Sequence, residues 1–196
     1  MENREHPIIE NLKQQFLYYK QLGDQTFHQL EEKDLFWKFN SEFNSIAIIV
    51  NHIAGNMLSR WTDFLTTDGE KDWRNRDQEF EDVLKSKVEV MAYWEKGWEC
   101  FLNALNQLNE DKDLNQIIYI RNQGHTVLEA LQRQLAHYPY HIGQMVMIGK
   151  MIKNEEWKSL SIPKNESSSY NQEKFSKEKS KIHFTEEYIN KKDHLE

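Results

Sequence analysis

His137 and His141 lie four residues apart in the stretch His137-Tyr138-Pro139-Tyr140-His141. On a helix, side chains at i and i+4 share a face about 6 Å apart, close enough for both rings to bind one metal ion. Such a pair alone is more often two solvated or hydrogen-bonded histidines. His52 shifts the balance, because it flanks its own apolar stripe as the pair flanks theirs, with Asn56, Arg60 and Asp63 aligned behind it at helical spacing. A polar flank beside an apolar one, on two helices, is what an inward-facing site between packed helices needs. Three imidazoles with the rest of the shell open make a catalytic rather than a closed structural metal geometry. Pro139 inside the pair removes an intrahelical hydrogen bond and crowds the carbonyl of Leu135. It either kinks the helix and parts the two rings, or widens one turn.

Other polar residues surround this set. Arg60, Asp63, Arg74, Arg76, Asp77 and Glu79 concentrate charge in one region. They either anchor an anionic substrate, orient metal ligands from behind, or form a salt-bridged loop; Asp77 or Glu79 equally suits the N-terminus of a following helix. Arg121 and His125 stand near the expected mouth of the site, and Gln144 lies one turn beyond His141. Cys100 sits in an apolar run with no base beside it and reads as packing. No glycine-rich phosphate loop is present.

Four segments of helical periodicity must carry these groups: about Pro7 to Leu30, Ser45 to Leu65, Phe80 to Leu108 and Thr126 to Ile152. Pro7 suits a first helical turn, Asn44 or Ser45 can cap the second helix, and Thr126 with Glu129 forms a capping-box pattern. The third stripe runs through Leu84, Val88, Met91, Trp98, Phe101 and Leu105. Four amphipathic helices bury their stripes most economically against one another, so the expected fold is all-α, a four-helix bundle with long loops over residues 1–153. Within the last of these loops, Ile117 to Ile120 reads as extended. Residues 154–196 turn polar and are expected as an irregular extension on or trailing from the bundle, with room for a short helix after Thr185.

Composition excludes several classes. Seven glycines and three prolines are too few for a sandwich or a dinucleotide-binding domain, while six tryptophans supply a large core. A net charge of −7 argues against nucleic acid as a partner, and no apolar run approaches a membrane span. The N-terminal stretch lacks the apolar region of a secretory signal. One cysteine permits no intrachain disulfide, which fits a reducing, cytoplasmic setting.

The run Asn51-His52-Ile53-Ala54-Gly55-Asn56, followed downstream by His137-xxx-His141-xx-Gln144, resembles the DinB/YfiT-like superfamily of metalloenzymes. The stretch from Asn56 to Phe80 resembles one branch of it more closely, as do Gly124-His125-Thr126-Val127 and Leu160-Ser161-Ile162-Pro163. The resemblance extends to about Asn171. It implies a bundle in which His52, His137 and His141 hold a divalent metal, nickel or zinc. It also implies an enzyme acting on a small molecule: an S-transferase of a low-molecular-weight thiol such as bacillithiol or mycothiol, or a hydrolase. Pro139 departs from the usual motif. The competing expectation is a non-catalytic metal- or small-molecule-binding stress protein, and the sequence leaves a homodimer open.

Overall fold

The computed structural model of the protein describes residues 7–108 and 111–189. The N-terminal stretch read above for a signal lies mostly outside these residues, as does the end of the polar extension. The chain is mostly helical, with one small antiparallel sheet. Its elements are α1 (Pro7–His28), α2 (Ile46–Trp61), α3 (Lys87–Asn106), β1 (Ile117–Ile120), β2 (Gln123–Thr126), α4 (Val127–Lys153), α5 (Ser167–Phe175) and α6 (Glu186–Ile189).

The helix starts follow local chemistry. Ser45 caps α2 by accepting from the Ile48 amide, and Ser86 caps α3 by accepting from Glu89. Thr126 and Glu129 close a reciprocal capping box at the start of α4. α4 runs unbroken through Pro139.

Two boundaries differ from the periodicity. α2 stops at Trp61 rather than near Leu65, because Asp63 adopts the left-handed region (φ 48°) and its carbonyl accepts from the amides of Thr66 and Thr67. α3 begins at Lys87, seven residues after Phe80, since residues Asp77–Phe80 form a separate 3-10 turn. The four-residue spacing of Phe80, Leu84 and Val88 imitates a stripe, yet Val88 is 77% exposed. The true buried face begins at Val90 and continues through Trp94, Gly97, Trp98, Phe101 and Leu105.

The four long helices close a ring of contacts: α2 meets α3 and α4, and α1 meets α4 and α3. Phe16, Trp61, Trp94, Trp98, Phe101 and Tyr138 fill the middle and are essentially inaccessible. Phe16 meets Phe101 edge to face at a centroid distance of 4.5 Å. At Gly97 an added Cβ would stand 2.8 Å from the Cα of Ala54, so this glycine sets how closely α2 and α3 approach.

The extended run Ile117 to Ile120 is β1, and it pairs with β2 through the two-residue turn Arg121-Asn122. Both turn residues are left-handed (φ 55° and 60°), as a tight hairpin requires. The Asp68 carboxylate pins the turn by accepting from the amides of Arg121 and Asn122, each at 2.8 Å. The Gly69 amide donates to the Tyr119 carbonyl at 2.8 Å, fastening the loop after α2 to the hairpin.

The C-terminal extension lies along α1. Gln29 bonds both polar backbone atoms of Lys158, Gln21 donates to the Tyr188 carbonyl, and Tyr18 meets Phe184 and Tyr188. The extension carries α5, which periodicity did not suggest, and α6 follows Thr185. Among the described residues no helix is long and apolar enough to cross a membrane.

Candidate metal centre

α2 is the central helix, and of its 16 residues only Leu58 is not buried. A helix buried all round must find partners for its polar side chains within the protein. Asn51 donates to the carbonyls of Gln78 and Glu79 at 3.2 and 3.1 Å. The Asn56 oxygen accepts from the Tyr138 hydroxyl at 3.2 Å, which in turn accepts from the Trp61 indole at 3.1 Å. Ser59 donates to the Gly69 carbonyl at 2.9 Å and accepts from the Lys71 amide.

His52 finds its partner in Glu79, whose Oε2 lies 2.9 Å from Nδ1. Asn51, the preceding residue on α2, holds the backbone of that 3-10 turn in place. Arg74 then grips the same carboxylate as a fork, Nε to Oε1 at 2.7 Å and Nη2 to Oε2 at 2.9 Å. Burial works to raise the Glu79 carboxyl. The hydrogen bonds from His52 and Arg74, with the Arg74 charge, outweigh it and hold the group below the usual carboxylate range. Phe80 stacks on the His52 ring at a centroid distance of 4.7 Å.

His137 and His141 complete the cluster from α4. The Nε2 of His137 is 3.3 Å from that of His52 and 3.1 Å from that of His141. One ligand-competent nitrogen from each ring lies within 4.8 Å of the other two. The remaining nitrogens are also engaged: Nδ1 of His137 faces the Gln134 amide oxygen at 3.4 Å, and Nδ1 of His141 faces that of Gln144 at 3.3 Å. An acceptor at each Nδ1 favours the proton there, the tautomer that turns an Nε2 lone pair inward for a metal. Three nearby histidines on two helices could therefore hold a metal ion.

Burial first, then the neighbouring charges of His141, His52, Arg133 and Arg60, push His137 down to about 3. Burial and His52 push His141 down to about 4. Both rings are neutral at pH 7, as metal ligands must be. The folded values lie below the ordinary 6.5, so between these limits only the unfolded chain takes up the protons. Stability is therefore full above about pH 6.5, falls as pH drops toward 4 and 3, and levels off below. The urea midpoint of metal-free protein is expected to decline between pH 7.5 and 5, and His137→Gln to flatten the slope. An identical slope in the variant overturns this account.

The other residues singled out from sequence are distributed as follows. Gln144 backs His141, and Asn56 is tied to Tyr138, one residue from His137. Arg60 is buried on α2 two turns beyond His52. Asp63 is exposed, two residues past the end of α2. Arg121 sits in the hairpin turn and pairs with Glu70 at 3.2 Å. His125 is on β2, paired in register with Ile118 and outside the cluster. Cys100 packs against Thr62 and the Met57 carbonyl.

The sequence offered Glu79 as one of six charged residues that could orient the ligands from behind, without singling it out, and Gln134 was not among the candidates. A signal for the latter was present: Gln134 precedes His137 by three residues as Gln144 follows His141 by three, a mirrored spacing that puts one amide on each ring.

No curated protein and no solved structure matches the chain. A family model described as protein of unknown function, DUF1572, matches residues 3–166. This match spans most of the helical body, including all three histidines, and the protein belongs to the DUF1572 family.

Proposed function

We propose that the protein is a metal-dependent enzyme of the DinB-like class, built on a four-helix bundle. In this reading His52, His137 and His141 hold a divalent ion, zinc or nickel, and the reaction moves a low-molecular-weight thiol onto an electrophile or hydrolyses a small substrate. The observation that carries the reading is the convergence of one ring nitrogen from each of the three histidines. Nitrogens 3.1 and 3.3 Å apart need a proton or a metal ion between them. Tetrahedral bonds of about 2.0–2.1 Å place ligand nitrogens roughly 3.3–3.4 Å apart, so the separations suit the group.

Three protein ligands leave a position open, as in catalytic rather than structural sites. A divalent ion there lowers the pKa of a thiol or water and supplies a nucleophile at neutral pH. The chain's own contribution is orientation and basicity. Glu79 fixes the His52 tautomer and strengthens it as a donor, Arg74 fixes Glu79, and Gln134 and Gln144 aim the two α4 rings.

The test is metal analysis of protein purified without a His tag, followed by consumption of a thiol with a chlorinated or epoxide electrophile, beside a panel of esters and amides. Metal-loaded protein is expected to turn over faster than metal-free protein, with His141→Ala abolishing the difference and Cys100→Ala preserving it. Stoichiometric metal without turnover on any panel would make the protein a metal- or small-molecule-binding stress protein instead.

A subtler variant probes the carboxylate. A Cβ at Gly55 would lie 2.5 Å from Glu79 Oε1 and 3.0 Å from its Cδ. The tip of a flexible side chain can yield, so Gly55→Ala is expected to keep the fold while lifting Glu79 from His52. Zinc affinity, measured by chelator competition, should fall by about 10–100-fold. Unchanged affinity would show that Glu79 does not support the ligand.

A further inference from the structure

Among the buried polar residues of α2, Arg60 stands apart. It is 4% exposed, and its Nε and Nη1 are buried with no hydrogen-bond partner. A guanidinium cannot shed its proton to escape such a place. Burial disfavours its charged form, as do the nearby cations Arg74 and Arg133, while Tyr138 and Glu70 act against them without bonding to it. The carboxylates nearby are engaged elsewhere. Glu70 pairs with Arg74 and Arg121, Glu79 with Arg74 and His52, and Asp68 with the amides of the hairpin turn. The loop after α2 and the hairpin close over the side chain: a Cβ at Gly69 would lie 3.2 Å from both Arg60 Nη1 and the Cγ1 of Ile120.

The position of this uncompensated charge is specific. Arg60 continues the flank of His52 and Asn56, about 12 Å along α2 from His52. Its charge acts on both His137 and Tyr138 across the interface with α4. A divalent ion among the histidines would add further positive charge to the same region.

We propose that Arg60 is the docking point for a carboxylate on the small molecule whose other end enters the histidine centre. The proposal rests on the metal-centre reading and adds to it a substrate class, a carboxylate-bearing thiol or electrophile. Among the described residues around the site, Arg60 is a buried guanidinium with no ion-pair partner, and a substrate carboxylate supplies one as a charge-assisted hydrogen-bond acceptor.

The test uses cobalt(II)-loaded protein, titrated with 3-mercaptopropionate and with 2-mercaptoethanol and followed by the sulfur-to-cobalt absorption. Wild type is expected to bind the carboxylate-bearing thiol about 10–100-fold more tightly, the range of one charge-assisted hydrogen bond. Arg60→Gln should bring the two thiols level. Equal binding by wild type overturns the proposal without need of a variant, and so does a preference that survives Arg60→Gln. Failure to bind cobalt overturns the metal reading instead, and metal-free protein then decides. There, sodium formate should raise the melting temperature of wild type above its value in equimolar sodium chloride, and should not do so in Arg60→Met. Arg60→Met should itself melt higher than wild type in chloride, since it removes a buried unpaired charge. A lower melting temperature together with no formate effect would leave Arg60 a structural residue and overturn the proposal.

Discussion

His137→Ala is expected to lower zinc affinity by more than the roughly 10–100-fold that loss of a supporting partner costs. His137 is the common neighbour in the cluster, with its Nε2 3.3 Å from that of His52 and 3.1 Å from that of His141. Without it, the remaining pair is one ring from α2 and one from α4, too few ligands for a catalytic-type site. The metal-free variant should remain folded, because the alanine also removes a ring whose protonated form the site opposes. Chelator competition and metal content after dialysis measure the effect. Retention of one equivalent at wild-type affinity would remove His137 from the ligand set.

The largest stability loss is expected from Gly97→Val. The added Cβ would meet the Cα of Ala54 at 2.8 Å, its Cβ at 2.9 Å and the Sδ of Met57 at 3.3 Å. The first of these is backbone and has no rotamer to change, so α2 and α3 must separate. Overpacking of this kind costs about 3 kcal/mol or more, which for a chain of this size lowers the melting temperature by roughly 6–12 °C. Gly143→Ala is the matched control, since nothing lies within 4 Å of a Cβ there and α4 should gain up to about 1 kcal/mol. Equal melting temperatures for the two variants would show that the α2–α3 approach does not limit stability.

The three histidines were legible because they sit on long, capped, periodic helices, where spacing alone fixes which residues share a flank. Pro139 left two outcomes open. α4 continues through it, and the two rings stay together. The third helix shows where periodicity misleads, because Phe80, Leu84 and Val88 repeat by four although a 3-10 turn and a linker intervene. Asp63 lies beyond the helix end for a related reason. One left-handed residue ends α2, and side-chain spacing does not encode that stop. Which of the six charged residues supports a histidine was not legible, because it depends on how the connection between α2 and α3 folds back onto α2. Nothing local marks that return except Asn51, whose two bonds to the turn appear only once the chain is folded.

The cluster is divided between helices and the connection that joins two of them. The ligand nitrogens belong to α2 and α4, whose packing tolerates little change, whereas the carboxylate that sets the donor strength of His52 rides on the segment between Thr62 and Ser86. On the proposed reading, the rigid helices would fix where a metal sits, while the connection would set how strongly His52 holds it.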